Sequence, residues 1–147
     1  MESTIEITLH HILLLVRHLE HCNLPGFVLV VLMELGVPTK CLGFECLKAA
    51  IRLQNENPTR TLAKDIYAEI AQMIGNCSEE QVDQAIREVI KMAWKYGSQR
   101  AWDWYFSYDG KPVLKRPTNS EFISRVAYIM ELWQECVNAR RDQDEKM

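Results

Sequence analysis

The chain has 147 residues, 48% of them apolar, and a formal net charge of −3. That length and apolar content suit one compact domain with its own core, and the acidic balance means that any hold on a phosphate backbone has to come from a local basic patch. The five cysteines (Cys22, Cys41, Cys46, Cys77 and Cys136) are odd in number and contain no CxxC pair, which argues against a disulfide framework or a cysteine zinc site and fits a reducing cytoplasm.

In chain order, residues 5–21 and 25–35 read as two apolar helices packed on the main domain. They are not a membrane span, because His10, His11, Arg17, His18, Glu20, His21, Pro25 and Gly26 interrupt the run well before the roughly 20 residues a span requires. Nor are they a signal peptide, since the first charges, Glu2 and Glu6, are acidic and no small-residue cleavage site follows an apolar run. His18 and Cys22 have the i, i+4 spacing of a shared metal, but no second ligand pair accompanies them, so surface or contact roles are expected for the histidines and no metal. Gly36, with Pro38 just beyond, ends the second helix. Residues 44–55 form a third, with Phe44, Leu47, Ala50 and Ile51 inward.

Residues 61–97 form one unit. A helix over TLAKDIYAEIAQMIG, a short break at GNCS and a helix over EEQVDQAIREVIKMAWKYG must fold back sharply on each other, which is how a helix-turn-helix reader of DNA is built. Gly75 suits a left-handed residue after the first helix. Ser78 and Gln81 open the second with a capping box, and Gly97 marks its stop. At 3.6 residues per turn Val82, Ala85, Ile86, Val89, Met92, Ala93 and Tyr96 fall on one side, and Glu80, Gln84, Arg87, Lys91 and Lys95 on the other.

Beyond Gly97, residues 98–106 make a short aromatic helix and YDGKPVLKRP a turn-rich loop. Thr118 and Glu121 form a second capping box after Pro117, opening a last helix to about residue 139, and RRDQDEKM is a charged tail. The domain division is thus 1–32 for the apolar helices, 33–139 for the main domain and 140–147 for the tail. No strand run, internal repeat or low-complexity linker is present. The run Trp94, Tyr96, Trp102, Trp104, Tyr105, Phe106 and Tyr108 suits core and interface packing better than stacking on bases, because its helical spacing turns much of it inward. No nucleophile stands beside an obvious base, and there is no glycine-rich phosphate loop or flanked carboxylate pair. An enzyme, a cofactor and a small-molecule substrate are not expected.

Four blocks, ELGVPTKCLGFECLKAAI, DIYAEIA, VDQAIREVIKMAW and KRPTNSEFISRVA, carry a resemblance that periodicity does not supply. In order and spacing, over residues 33–132, they resemble the C-terminal effector domain of the sporulation initiation response regulator, the stage-zero A transcription factor. The resemblance implies an all-α, multi-helix DNA-binding domain with its helix-turn-helix at 61–97, reading short boxes of double-stranded DNA, often as tandem dimers. Here the added apolar N-terminal helix precedes it. Two departures stand out. Full-length members carry a phosphorylated receiver domain, for which the roughly 30 preceding residues leave no room on the usual domain scale. Their reading helix presents arginines where this chain has Gln81 and Gln84. Arginine pairs with guanine and glutamine with adenine, so either the target has changed or DNA binding has been lost.

The expected DNA contacts are Gln81, Asp83, Gln84, Arg87, Lys91, Lys95, Lys115, Arg116, Asn119 and Ser120. Gln84, central on the polar face, is the better adenine reader, while Gln81 either reads a base or only closes its capping box. Arg87 matches an arginine of the family pattern. Lys91 and Lys95 reach phosphate at best. Lys115, Arg116 and the amides around Asn119 and Ser120 hold a phosphate by charge and helix dipole, or else PTNSEF only caps the final helix. Glu79 and Glu80 are ordinary dipole partners in a first turn or repel phosphate there. The sequence is read as that of a cytoplasmic transcriptional regulator. The competing one is a protein-interaction module that keeps the fold, has lost DNA, and engages a related regulator or itself.

Overall fold

In a computed structural model that describes residues 24–61, 65–107 and 109–145, those residues form six helices and no strand. They are α1 (Leu24–Glu34), α2 (Leu42–Glu56), α3 (Tyr67–Ile74), α4 (Glu79–Tyr96), α5 (Gln99–Phe106) and α6 (Asn119–Glu145). The sequence element at 5–21, with its histidines, lies outside the described residues, as does Tyr108.

The amphipathic α2 sits centrally because it has two neighbours to satisfy, α4 on one flank and α6 on the other. Phe44, Cys46, Leu47, Ala50, Ile51 and Leu53 are all buried there. α1 lies on α6, where Phe27 stacks on Trp133 at 4.8 Å and 10°, a contact worth about 0.5–1.5 kcal/mol beyond the area it buries. Of the aromatic run, Trp102, Tyr105 and Phe106 are buried, Trp94 and Trp104 are partly buried and Tyr96 is exposed; Trp102 meets Trp94, Phe106 and Phe122 at 5.1, 5.0 and 5.9 Å. Trp102 and Tyr105 find partners for their polar ends, as most buried polar groups do, whereas Trp133 Nε1 is buried without one. Trp102 Nε1 donates to Ala93 O at 3.3 Å, and Tyr105 OH to Glu34 Oε2 at 2.7 Å.

Two glycines set where α4 lies. A Cβ on Gly43 would stand 2.4 Å from Ala85 O and 2.5 Å from Val89 Cγ1, so α2 meets α4 at backbone distance. At the other end a Cβ on Gly97 would stand 2.3 Å from Leu35 O. Gly97 ends α4 with φ −78°, open to any residue; close approach, rather than the left-handed turn expected of a helix-ending glycine, is what requires it. The turn before α4 does use the left-handed region, at Gly75 (φ 76°) and again at Asn76 (φ 48°), the latter a residue type that tolerates it.

Two boundaries and one buried face differ from the sequence reading. The α-helical part of the first helix of the pair is Tyr67–Ile74, with Asp65 and Ile66 π-helical immediately before it and residues 62–64 outside the described residues. The last helix runs to Glu145, past the expected end near residue 139. The buried face of α4 is rotated about its axis: Ile90 is in it, whereas Met92 and Tyr96 are 44% and 71% exposed. Ile90 lies on the edge of α4 that begins at Asp83, the residue that Asn119 of α6 bonds.

Both capping boxes form. Ser78 N donates to Gln81 Oε1 at 2.8 Å and Gln81 N to Ser78 Oγ at 3.1 Å; Thr118 N donates to Glu121 Oε1 and Glu121 N to Thr118 Oγ1, both at 3.2 Å. The bonds from Thr118 hold the Glu121 carboxyl below its ordinary 4.5. A depressed carboxylate stabilises above its unfolded-state value and loses that contribution as pH falls through the folded one. Glu121→Gln, which keeps the box, is therefore expected to lose less stability than the wild type between pH 7 and pH values below 4.5, read as the shift of the urea midpoint.

Candidate nucleic-acid interface

Three helices bring the site together. α3 and α4 form the helix-turn-helix, with Arg60 bound to Glu69 at 2.6 Å to hold the approach to α3. The start of α6 then abuts the side of α4. Asp83, Arg87 and Ile90, at i, i+4 and i+7, form one edge of α4, and all three line a cleft of about 540 Å3 with Tyr67, Lys115, Arg116, Asn119 and Ser120. Residues 37 positions apart in sequence, such as Asp83 and Ser120, thus share one wall.

Asn119 fastens the cleft. Its Nδ2 donates to Asp83 O and Asp83 Oδ1, both at 3.0 Å, and to Tyr67 OH at 3.2 Å. Asp83 Oδ2 accepts from Arg87, so both carboxylate oxygens are engaged. Arg87 also donates Nη1–H to Gln84 Oε1 at 3.1 Å, and Gln84 Nε2 donates to Glu88 Oε1 at 2.9 Å. The chain of bonds runs from α3 through α6 to the exposed face of α4 and fixes the direction of the Arg87 guanidinium. A guanidinium has five N–H donors, so these two contacts leave donors over for a ligand.

The basic loop is fixed from the far side. Val113 N donates to Asp103 Oδ1 at 2.8 Å, Gln99 Nε2 donates to Val113 O at 3.0 Å, and Ser107 Oγ donates to Lys111 O at 2.7 Å. α5 therefore presents Lys115 and Arg116, both exposed, immediately before the buried Pro117. Ser120, in the first turn of α6, is exposed beside them. Three cations and a helix start converge at one cleft, the arrangement that suits a phosphate group.

The other expected contacts lie apart from the cleft. Gln84, Lys91 and Lys95 are exposed on the outward face of α4, with Lys95 Nζ 5.2 Å from the centre of the Tyr96 ring. Gln81 is exposed in the first turn with its oxygen held by the capping box, so its Nε2 is the group left to meet a base. Tyr67 is the participant that sequence reasoning missed. Burial, ahead of the opposing bond from Asn119, pushes its phenol up to about 12, so it stays a neutral hydroxyl. Its only sequence signal is an aromatic with a polar end in DIYAEIA, one that a helical pattern assigns simply to the core.

These elements define an all-helical helix-turn-helix domain with a basic cleft beside its second helix. The family model described as Sporulation initiation factor Spo0A C terminal matches residues 28–130, and the chain belongs to that family. The match covers α2 to α5 entirely and every residue of the cleft. It is a family of DNA-binding regulatory domains rather than of enzymes. Among the described residues no helix is long and apolar enough to cross a membrane.

Proposed function

We propose that this chain is a sequence-specific DNA-binding transcriptional regulator of the cytoplasm, inserting α4 into the major groove. The observation that carries the reading is the convergence of Arg87, Lys115, Arg116 and the start of α6 on one cleft beside the exposed face of α4. Gln84 reads a base edge, preferably adenine, and Gln81 Nε2 adds a second donor. Arg87 contacts DNA from the rim, while Lys115 and Arg116, with the amides at Asn119 and Ser120, clamp a backbone phosphate. Lys91 and Lys95 follow the groove outward to phosphate. Asp83, with both oxygens engaged, acts by aiming Arg87 and Asn119. Two copies on tandem boxes give the partner arrangement.

The phosphate clamp is testable by salt. Each neutralised phosphate contributes about −0.9 to the slope of log K against log salt. Lys115→Ala with Arg116→Ala is expected to make that slope shallower by about 1 to 2, in fluorescence titrations of labelled duplex at several salt concentrations. An unchanged slope would remove the loop from the interface.

A second reading has its own support. Met92 and Tyr96 are exposed on the same helix, and exposed apolar and aromatic side chains suit a protein partner. In an interaction module that has lost DNA, Arg87→Ala leaves partner binding intact and no duplex is recognised at all.

A further inference from the structure

From Leu24 to Met33, α1 is apolar around its whole circumference, and a helix of that kind is built to be covered on all sides. Phe27, Val31 and Leu32 face the core, yet Leu29 is 37% and Met33 59% exposed. Pro25, Leu29 and Met33 follow one another at four-residue spacing, so they form one outward line. That line starts at the rim of an apolar cavity of about 580 Å3 shared by α1, α2, α3 and α6. Two of the residues lining it, Met73 and Ile74, are themselves 57% and 42% exposed at the end of α3.

We propose that this groove, with the outer line of α1, is an intramolecular docking site for the chain's own residues 5–19, bound as an amphipathic helix. Leu24, which directly follows that segment and its connection, lines the groove, so the segment joins the domain at the rim. Ile5, Leu9, Ile12, Val16 and Leu19 alternate steps of four and three, the seam of a helix that lies along another. Only Cys22 and Asn23 separate residue 21 from Leu24, and so short a connection makes neighbouring helices antiparallel. Folded back this way, the seam runs along Pro25, Leu29 and Met33. A short tether gives the segment a millimolar effective concentration at the groove, which favours it over a second copy. The family match begins at residue 28, so the docked helix is an addition to the matched domain. It would bear on the end of α3, the first helix of the helix-turn-helix.

Hydrogen–deuterium exchange of the full chain, read on peptides from residues 5–19, tests this at low and high protein concentration. The expected result is slow exchange at both, accelerated by about tenfold or more in Met73→Lys and in Ile12→Lys. Met73 is largely exposed and Lys suits the last turn of a helix, so exchange in α4 should not change in that variant. Leu114→Lys, at a site 86% exposed and outside the groove, should leave the segment as slow as in the wild type. Fast exchange of residues 5–19 in the wild type would overturn the proposal. So would protection that appears only at high concentration together with a dimer mass, which would put a second copy in the groove, or protection that survives Met73→Lys.

Discussion

Arg87→Ala is expected to weaken binding to the selected duplex by about tenfold to a hundredfold, the range lost with one well-placed base or rim contact, and to leave the fold intact. Arg87 is half-exposed and its ion pair with Asp83 joins neighbouring turns of one helix, a type of pair that adds only about 0.3–0.5 kcal/mol. Asp83 keeps its bonds from Asn119 in the variant, so the cleft does not come apart. Arg87→Lys separates charge from geometry. Lysine retains the cation but lacks the planar fork, so the salt slope should stay close to that of the wild type while discrimination against altered boxes falls. Anisotropy titrations with matched and mutated duplexes read both quantities. Equal affinity of wild type and Arg87→Ala for the same duplex would move the reading surface away from this edge of α4.

A large effect on stability is expected from Gly43→Ala. The new methyl carbon would sit 2.4 Å from a main-chain carbonyl of α4, and a carbonyl in mid-helix cannot turn aside as a side chain does. Either α2 or α4 must shift, and overpacking of this kind costs about 1–3 kcal/mol. For a chain of this size a loss of about 3 kcal/mol lowers Tm by roughly 10 °C. Either shift changes how α4, the proposed reading helix, is seated, so DNA affinity should fall as well, in the folded protein below its Tm. Calorimetry on Gly43→Ala beside Gly75→Ala distinguishes causes, since nothing lies within 4 Å of a Cβ at Gly75 and only its positive φ is strained. A Gly43→Ala variant as stable as the wild type would mean that the α2–α4 contact is looser than these distances.

Local signals in the sequence were enough to place most of the frame. Ser78 with Gln81 and Thr118 with Glu121 give away two helix starts, because a capping box is written within four residues. Gly36 and Gly75 mark reversals through their left-handed backbone. The helix-turn-helix follows from two amphipathic runs with a break too short for anything but a sharp turn. What could not be read is what depends on distant pairing. Asn119 bonds Asp83 across 36 positions, and neither residue type announces the other. The same lack hides the rotation of α4: periodicity locates an apolar stripe, but the placing of the neighbouring helices decides that Ile90 is covered and Tyr96 is not. Gly97 was legible as a stop and not as a contact, since the carbonyl of Leu35 that approaches it belongs to the distant turn after α1. Within the cleft, Arg87, Lys115 and Arg116 were legible as basic residues on a polar face and a loop. Their convergence, and the part taken by Tyr67, required the fold.

The most direct test of a DNA reader is selection of bound sequences from a random duplex library at low salt, repeated at moderate salt. The account predicts an enriched box that persists as salt rises, with adenines at central positions opposite Gln84. No enrichment, with weak binding that disappears at moderate salt, would contradict it and leave only nonspecific attraction between phosphate and the basic cleft.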